Sequence, residues 1–213
     1  GKVKGARRAS EGEAIAVPIA MMMLMYLMIL MGVSPLLHSV MEEKTQRIAE
    51  VLLGSIKPSE FMAGKVLGGV SVSLTSSTVY IIGGIIAINR MGFEEYIPYH
   101  ILPWFFTYML LAIVMLGAVN TALGASCSEA KDAQSLMFPT ILPVIIPMFL
   151  LMPVLREPHG SFATWLSLFP TFTPMLMLLR QTTPAGVPMW QPYVGLGGML
   201  VFTLIAVWAG GRI

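Results

Sequence analysis

Charge is scarce in this chain. Asp, Glu, Lys and Arg make up only 11% of its 213 residues, against 56% hydrophobic residues and a mean hydropathy of +0.78. The single cysteine, Cys127, excludes an intrachain disulfide. His38, His100 and His159 are too scattered to form an HExxH zinc site, and each reads as a structural residue at a helix end or loop. A GxSxG nucleophile elbow is also missing. Gly64-Lys65 matches the close of a phosphate-binding loop, but Ser59 stands where that loop needs glycine and Val66 where it needs Ser or Thr. ATP, if it is used at all, is therefore expected on another chain, with no cofactor bound here. A net charge of +2 without a basic-aromatic patch leaves no footprint for nucleic acid.

What the chain has instead is a series of apolar runs, each long enough to cross a hydrocarbon core about 30 Å thick. They predict an all-α, polytopic membrane bundle with five spans, at about 14–37, 66–88, 101–125, 135–155 and 191–211. Residues 1–13 are polar and Gly-rich and read as a loop or linker, a tail ahead of a transmembrane domain at 14–213. Ala14 to Leu37 is too long for a signal-peptide core of about 7–15 residues, so it is the first span, with Pro18 near its start and Gly32 and Pro35 loosening its end. Gly64 and Gly68 have a GxxxG spacing that allows close helix contact at the entry to the second span. Pro103, Trp104 and Tyr108 are interface anchors for the third. Pro139, Pro143, Pro147 and Pro153 predict a kinked or broken fourth span, because each proline removes an amide donor. Between the last two spans, Trp165–Phe169 and Pro174–Leu179 read as short interfacial or re-entrant pieces.

The connector at 41–65 is different. MEEKTQRIAEVLLGSIKPSEFMAGK holds eight of the chain's 24 charged residues. As a helix over Met41–Ser55 it is amphipathic, with Ile48, Val51, Leu52 and Ile56 on one stripe. Glu43 precedes Arg47 by four residues, and Arg47 precedes Glu50 by three, so the polar face is laced with pairs. Gly54 and Pro58 end that helix, and Ser59 is placed to cap the next. Such a helix either lies in the headgroup layer or docks a soluble partner.

EEKTQRIAEVLLGSIKPSEFMAGKVLG resembles the segment that follows the large external domain in permease subunits of type-2 ATP-binding-cassette exporters, in the sodium- and drug-exporter-like branch. A looser likeness extends from Ala14 to Arg212. The resemblance implies that the connector is cytoplasmic and meets an ABC ATPase subunit. It implies a polar coupling face of Glu42, Glu43, Lys44, Thr45, Arg47 and Glu50, with Pro58 and Gly64 as the hinge into the second span. It further implies a second permease copy or a related permease, a multi-pass location in the cell inner (plasma) membrane, and an incomplete chain lacking one earlier span and the external domain.

Basic residues divide seven to six between the two faces defined by five spans, which is a tie. Discounting a translocated tail leaves the 41–65 side richer and therefore cytoplasmic. Within the spans, Thr75, Thr78, Asn120 and Thr121 are polar groups that must face protein or a watered path. They serve as helix-packing glue or as pathway contacts. No span centre carries an acid or a base, which disfavours a carrier driven by a proton or sodium gradient. The expected function is the membrane-spanning, non-catalytic subunit of an ATP-driven exporter. A membrane scaffold that recruits a soluble partner, and a carrier or channel, are the alternatives.

Overall fold

The computed structural model describes residues 2–45, 57–91, 99–126, 130–184 and 186–210, which are helical with short turns and contain no strand. This is what a bilayer demands, since a helix satisfies every backbone polar group within its own segment. The helices are α1 (Lys2–Thr45), α2 (Pro58–Met91), α3 (Leu102–Ser126), α4 (Ala130–Arg156), α5 (Ser161–Leu168), α6 (Thr173–Thr182) and α7 (Trp190–Gly210), with a 3-10 turn at Tyr99–Ile101 before α3. Five stretches are long and apolar enough to cross a membrane: Ile15–Leu36, Ala63–Ala87, Tyr99–Gly124, Phe138–Arg156 and Trp190–Ala209. All five match the spans expected from the sequence to within a few residues. Stretches of Met41–Lys65 fall outside the described residues, among them Arg47, Ile48, Glu50, Val51, Leu52, Gly54, Ser55 and Ile56.

The third span is the axis of the bundle. Its window is 56% buried, against 17% for the second span, and α3 packs on α1, α2, α6 and α7. Phe105, Met109, Ala112, Ile113 and Met115 of α3 meet Met22, Met25, Met28 and Ile29 of α1 in one core. Small residues let these helices approach closely. A Cβ on Gly117 would sit 2.9 Å from Leu36 Cδ1, so a larger residue there would make the α1 side chain shift. At the α1–α2 crossing a Cβ on Gly69 would lie 2.5 Å from the Gly32 carbonyl oxygen, and one on Gly32 would collide with Ser73 Oγ.

Several expectations are corrected. The tail read as a loop or linker is helical from Lys2, because α1 runs unbroken through 44 residues. At 1.5 Å per residue α1 is about 66 Å long, so it projects beyond the hydrocarbon core. Gly32 does not loosen its end; Gly32 is where α2 crosses, and α1 continues past Pro35 to Thr45. Gly64 and Gly68 do not make the close contact expected of them. Both are exposed with nothing within 4 Å of a would-be Cβ, and Gly69 takes that part. The fourth span is not broken, since α4 is one helix containing all four prolines. Pro139, Pro143 and Pro147 recur every fourth residue, so the lost amides fall on one strip and the other faces keep their ladder. Tyr108 is no interface anchor, because its side chain is fully buried.

Candidate functional site: the connector face and the buried hairpin

Five crossings place the connector between α1 and α2 on one membrane face, and the α5–α6 segment between α4 and α7 on the other. On the connector face, α1 carries Glu42, Glu43, Lys44 and Thr45 in its last turn, past the apolar stretch that ends at Leu36. α2 starts at Pro58, a position where proline's missing amide costs no helix bond. Ser59 therefore sits inside the first turn and not at the cap. Glu60 accepts from the Lys57 amide at 3.3 Å, the back-reaching half of a capping box. Gly64 lies within α2, which runs through it without a break.

The intramembrane polar residues separate into two groups. Asn120 is buried, with Nδ2 3.5 Å from the Val33 carbonyl of α1, at the outer limit for a hydrogen bond. Thr121 is fully buried and donates to the Gly117 and Ala118 carbonyls of its own helix. Thr75 and Thr78 are exposed on α2 and donate to the Ser71 and Leu74 carbonyls one turn back. Ser73, two residues before Thr75, is buried and donates across helices to the Met28 carbonyl at 2.9 Å.

The opposite face holds what residue-by-residue reading missed. α5 and α6 form a hairpin, and every residue of α6 from Thr173 to Arg180 is buried. A helix covered on all sides must be apolar on all sides, and Met175–Leu179 supply that. Arg180 follows them with its side chain fully buried. Its Nε donates to the Pro158 carbonyl at 2.6 Å, one terminal nitrogen to Ser167 Oγ at 2.5 Å, and the other to Thr164 Oγ1 at 3.1 Å. Ser167 in turn donates to the Thr164 carbonyl at 3.0 Å. One guanidinium thus joins the turn after α4 to two positions on α5 and to α6. Its rigid fork of five donors suits this; a lysine offers a single point. Each of the three acceptors is neutral. The sequence signal is one base in MLMLLRQ shortly after a run containing Thr164 and Ser167, but it lies outside the five spans.

Nearby, Pro153, Arg156, Glu157 and Gly160–Ala163 line an open cleft of about 350 Å³ at the start of α5. His100 and His159 are both exposed, in separate turns, and among the described residues no three His, Cys, Asp or Glu side chains gather to hold a metal ion.

Comparison with known proteins agrees with this architecture. The ABC-2 family transporter protein profile matches residues 6–212. The chain is 28% identical over 229 residues to the uncharacterized protein YhaP of Bacillus subtilis, an alignment covering 99% of this chain and 53% of the relative. It is 25% identical over 189 residues to the uncharacterized protein MJ1024 of Methanocaldococcus jannaschii, covering 89% of this chain and 46% of that one. The chain thus spans about half the length of the curated relatives it matches. No solved structure matches it. Neither relative bears on the sodium- and drug-exporter branch. With five spans in place and the family profile covering nearly the whole chain, this multi-pass membrane permease belongs to the ABC-2 family of transporter proteins.

Proposed function

We propose that this chain is the pathway-forming part of an ATP-driven exporter subunit in the cell inner (plasma) membrane. It carries no hydrolytic residues of its own and takes its work from a separate ABC ATPase that binds ATP and Mg. The supporting observation is the family match over residues 6–212, read together with α1, which carries Glu42–Thr45 out of the apolar slab on the connector face. In this reading Glu42, Glu43, Lys44, Thr45, Arg47 and Glu50 form the docking and coupling face. The apolar stripe from Ile48 to Ile56 covers the bundle or the lipid surface. A stiff helix emerging from a membrane transmits displacement at its end to its whole length, and α1 meets α3 and α6 within the core. A second permease copy or a related permease encloses the pathway, with Thr75 and Thr78 on the outward face of α2 turned toward it. Pro58, at the start of α2, is the bend between connector and span.

The test is charge reversal in the connector. Glu43→Lys with Arg47→Glu should leave membrane insertion intact and sharply reduce the ATPase recovered with the permease, along with the ATP hydrolysis of the purified complex. Unchanged recovery and hydrolysis would remove the coupling role. A partner without ATPase activity, bound through the same residues, would favour a scaffold. Labelling of Lys57 by an impermeant amine reagent added to intact cells would place the connector outside and overturn the arrangement.

A further inference from the structure

The α5–α6 hairpin carries an outward surface that the transport reading does not use. Phe162, Trp165 and Phe169 recur at i, i+3 and i+7, are 57%, 75% and 52% exposed, and follow one side of α5 to its C-cap at Phe169. Ala163 and Ser167, on the other side, are buried. Glycines of α7 fix how deep this helix reaches. A Cβ on Gly195 would lie 2.8 Å from Thr173 Cγ2 and 3.9 Å from the Ser167 carbonyl oxygen, and one on Gly198 would lie 3.8 Å from the Leu168 carbonyl oxygen. Gly195 and Gly198 are about 8 Å and about 12 Å along α7 from Trp190, where the fifth span starts. The end of α5 is therefore level with the interior of that span. Its beginning stays beside Arg156, where the fourth span ends. From Thr173, α6 climbs back about 10 Å to Arg180, whose bond to the Pro158 carbonyl returns it to the level of the α4 end.

We propose that α5 is a lipid anchor: it descends obliquely into the leaflet opposite the connector with Phe162, Trp165 and Phe169 set against lipid at increasing depth, and Arg180 fastens it to the buried helix α6. Lipid is the occupant because the aromatic stripe occupies the depth at which the neighbouring spans α4 and α7 are themselves exposed and apolar, as at Phe149, Met152, Tyr193 and Val194. Aromatic rings on an amphipathic helix favour that headgroup-to-acyl boundary. With the guanidinium bonded to both sides of the hairpin, a movement of α6 within the core shifts the anchor in the leaflet, and a change at the leaflet reaches α6.

The experiment uses the full chain in phosphatidylcholine vesicles. Trp104, Trp165, Trp190 and Trp208 are replaced by Phe, and one reporter is kept or introduced at a time: Phe162→Trp, native Trp165, or Phe169→Trp. Fluorescence quenching is read with lipids spin-labelled near the headgroup or deep in the chain, and with aqueous iodide. The ratio of deep to shallow lipid quenching should rise from 162 to 165 to 169, and iodide quenching should fall in the same order. Iodide quenching at all three positions equal to that of free tryptophan would place the stripe in water. Quenching by neither agent would place it against protein, such as a second copy. Either result overturns the anchor. Arg180→Gln should flatten the depth series and raise iodide quenching at 165 several-fold, with Arg180→Lys intermediate. An unchanged series in Arg180→Gln would overturn the fastening role alone, since the depth order itself is measured with Arg180 in place.

Discussion

The two membrane faces of this bundle use charge in opposite ways. The connector face gathers eight of the 24 charged residues into 25 positions. Where its side chains are described, Lys57 and Glu60 lie exposed on it. The hairpin between α5 and α6 contains one charge, Arg180, and buries it completely. A cluster of exposed charges contributes little to holding a fold, because surface pairs contribute about 0–1 kcal/mol each. Truncating the buried guanidinium costs far more, because it removes three hydrogen bonds to a charged group, each worth about 1.5–3 kcal/mol. The comparison therefore assigns stability to the quiet face and recognition to the crowded one.

The strongest way to break that assignment is Arg180→Ala. The substitution removes the donors that meet the Pro158 carbonyl and the Ser167 and Thr164 hydroxyl oxygens and opens a void, so the loss should be about 3 kcal/mol or more. Hydrogen exchange should rise first in 157–183. Glu60→Gln on the connector face should stay within about 0.5 kcal/mol in the same unfolding measurement. If Arg180→Ala proved as mild as Glu60→Gln, the contrast between the faces would disappear.

Next in size is the α1–α2 crossing, where the connector half is tightly built after all. Gly69→Leu forces a side chain against the Gly32 carbonyl and should cost at least about 1–3 kcal/mol, with a lowered Tm in detergent. Gly68→Ala, one residue away, meets open space, and relief of glycine's conformational entropy should stabilise the helix by about 0.5–1 kcal/mol. A loss at Gly68 in lipid, but not in monomeric detergent micelles, would instead put a second helix against that face.

Much of this fold was legible because bilayer thickness dictates run length, and the apolar runs from Ile15, Ala63, Tyr99, Phe138 and Trp190 meet that length. The helical tail is hard to read from sequence because its glycines lower helix propensity and it lacks an apolar stripe, while α1 is helical from Lys2 onward. Spacing alone found a glycine pair on α2 but not the face it occupies. Gly64 and Gly68 satisfy the same four-residue rule as Gly69 and Ser73, and only the position of Gly32 on α1 distinguishes them. The role of Arg180 is not legible from local spacing because its acceptors are thirteen to twenty-two residues away, brought to it by the turns on either side of α5.

The smallest effect separates two serines on α2. Ser73 donates across the helix interface to the Met28 carbonyl, whereas Ser71 donates to the Leu67 carbonyl of its own helix while facing outward. Both hydroxyls are satisfied, so a count of hydrogen bonds treats them alike. They differ in what holds the partner: the Ser71 bond forms in any state where α2 is helical, including one in which the helices have separated. Only the Ser73 bond is lost when α1 and α2 part, so only that bond contributes to their association. Ser73→Ala should therefore lower the stability of the helix pair by about 0.6 kcal/mol, the usual size for an interhelical hydrogen bond in a membrane, and Ser71→Ala should leave it unchanged. Equal losses for the two serines, measured by denaturant titration in the same micelles, would mean that packing around Gly32 and Gly69 alone sets the crossing.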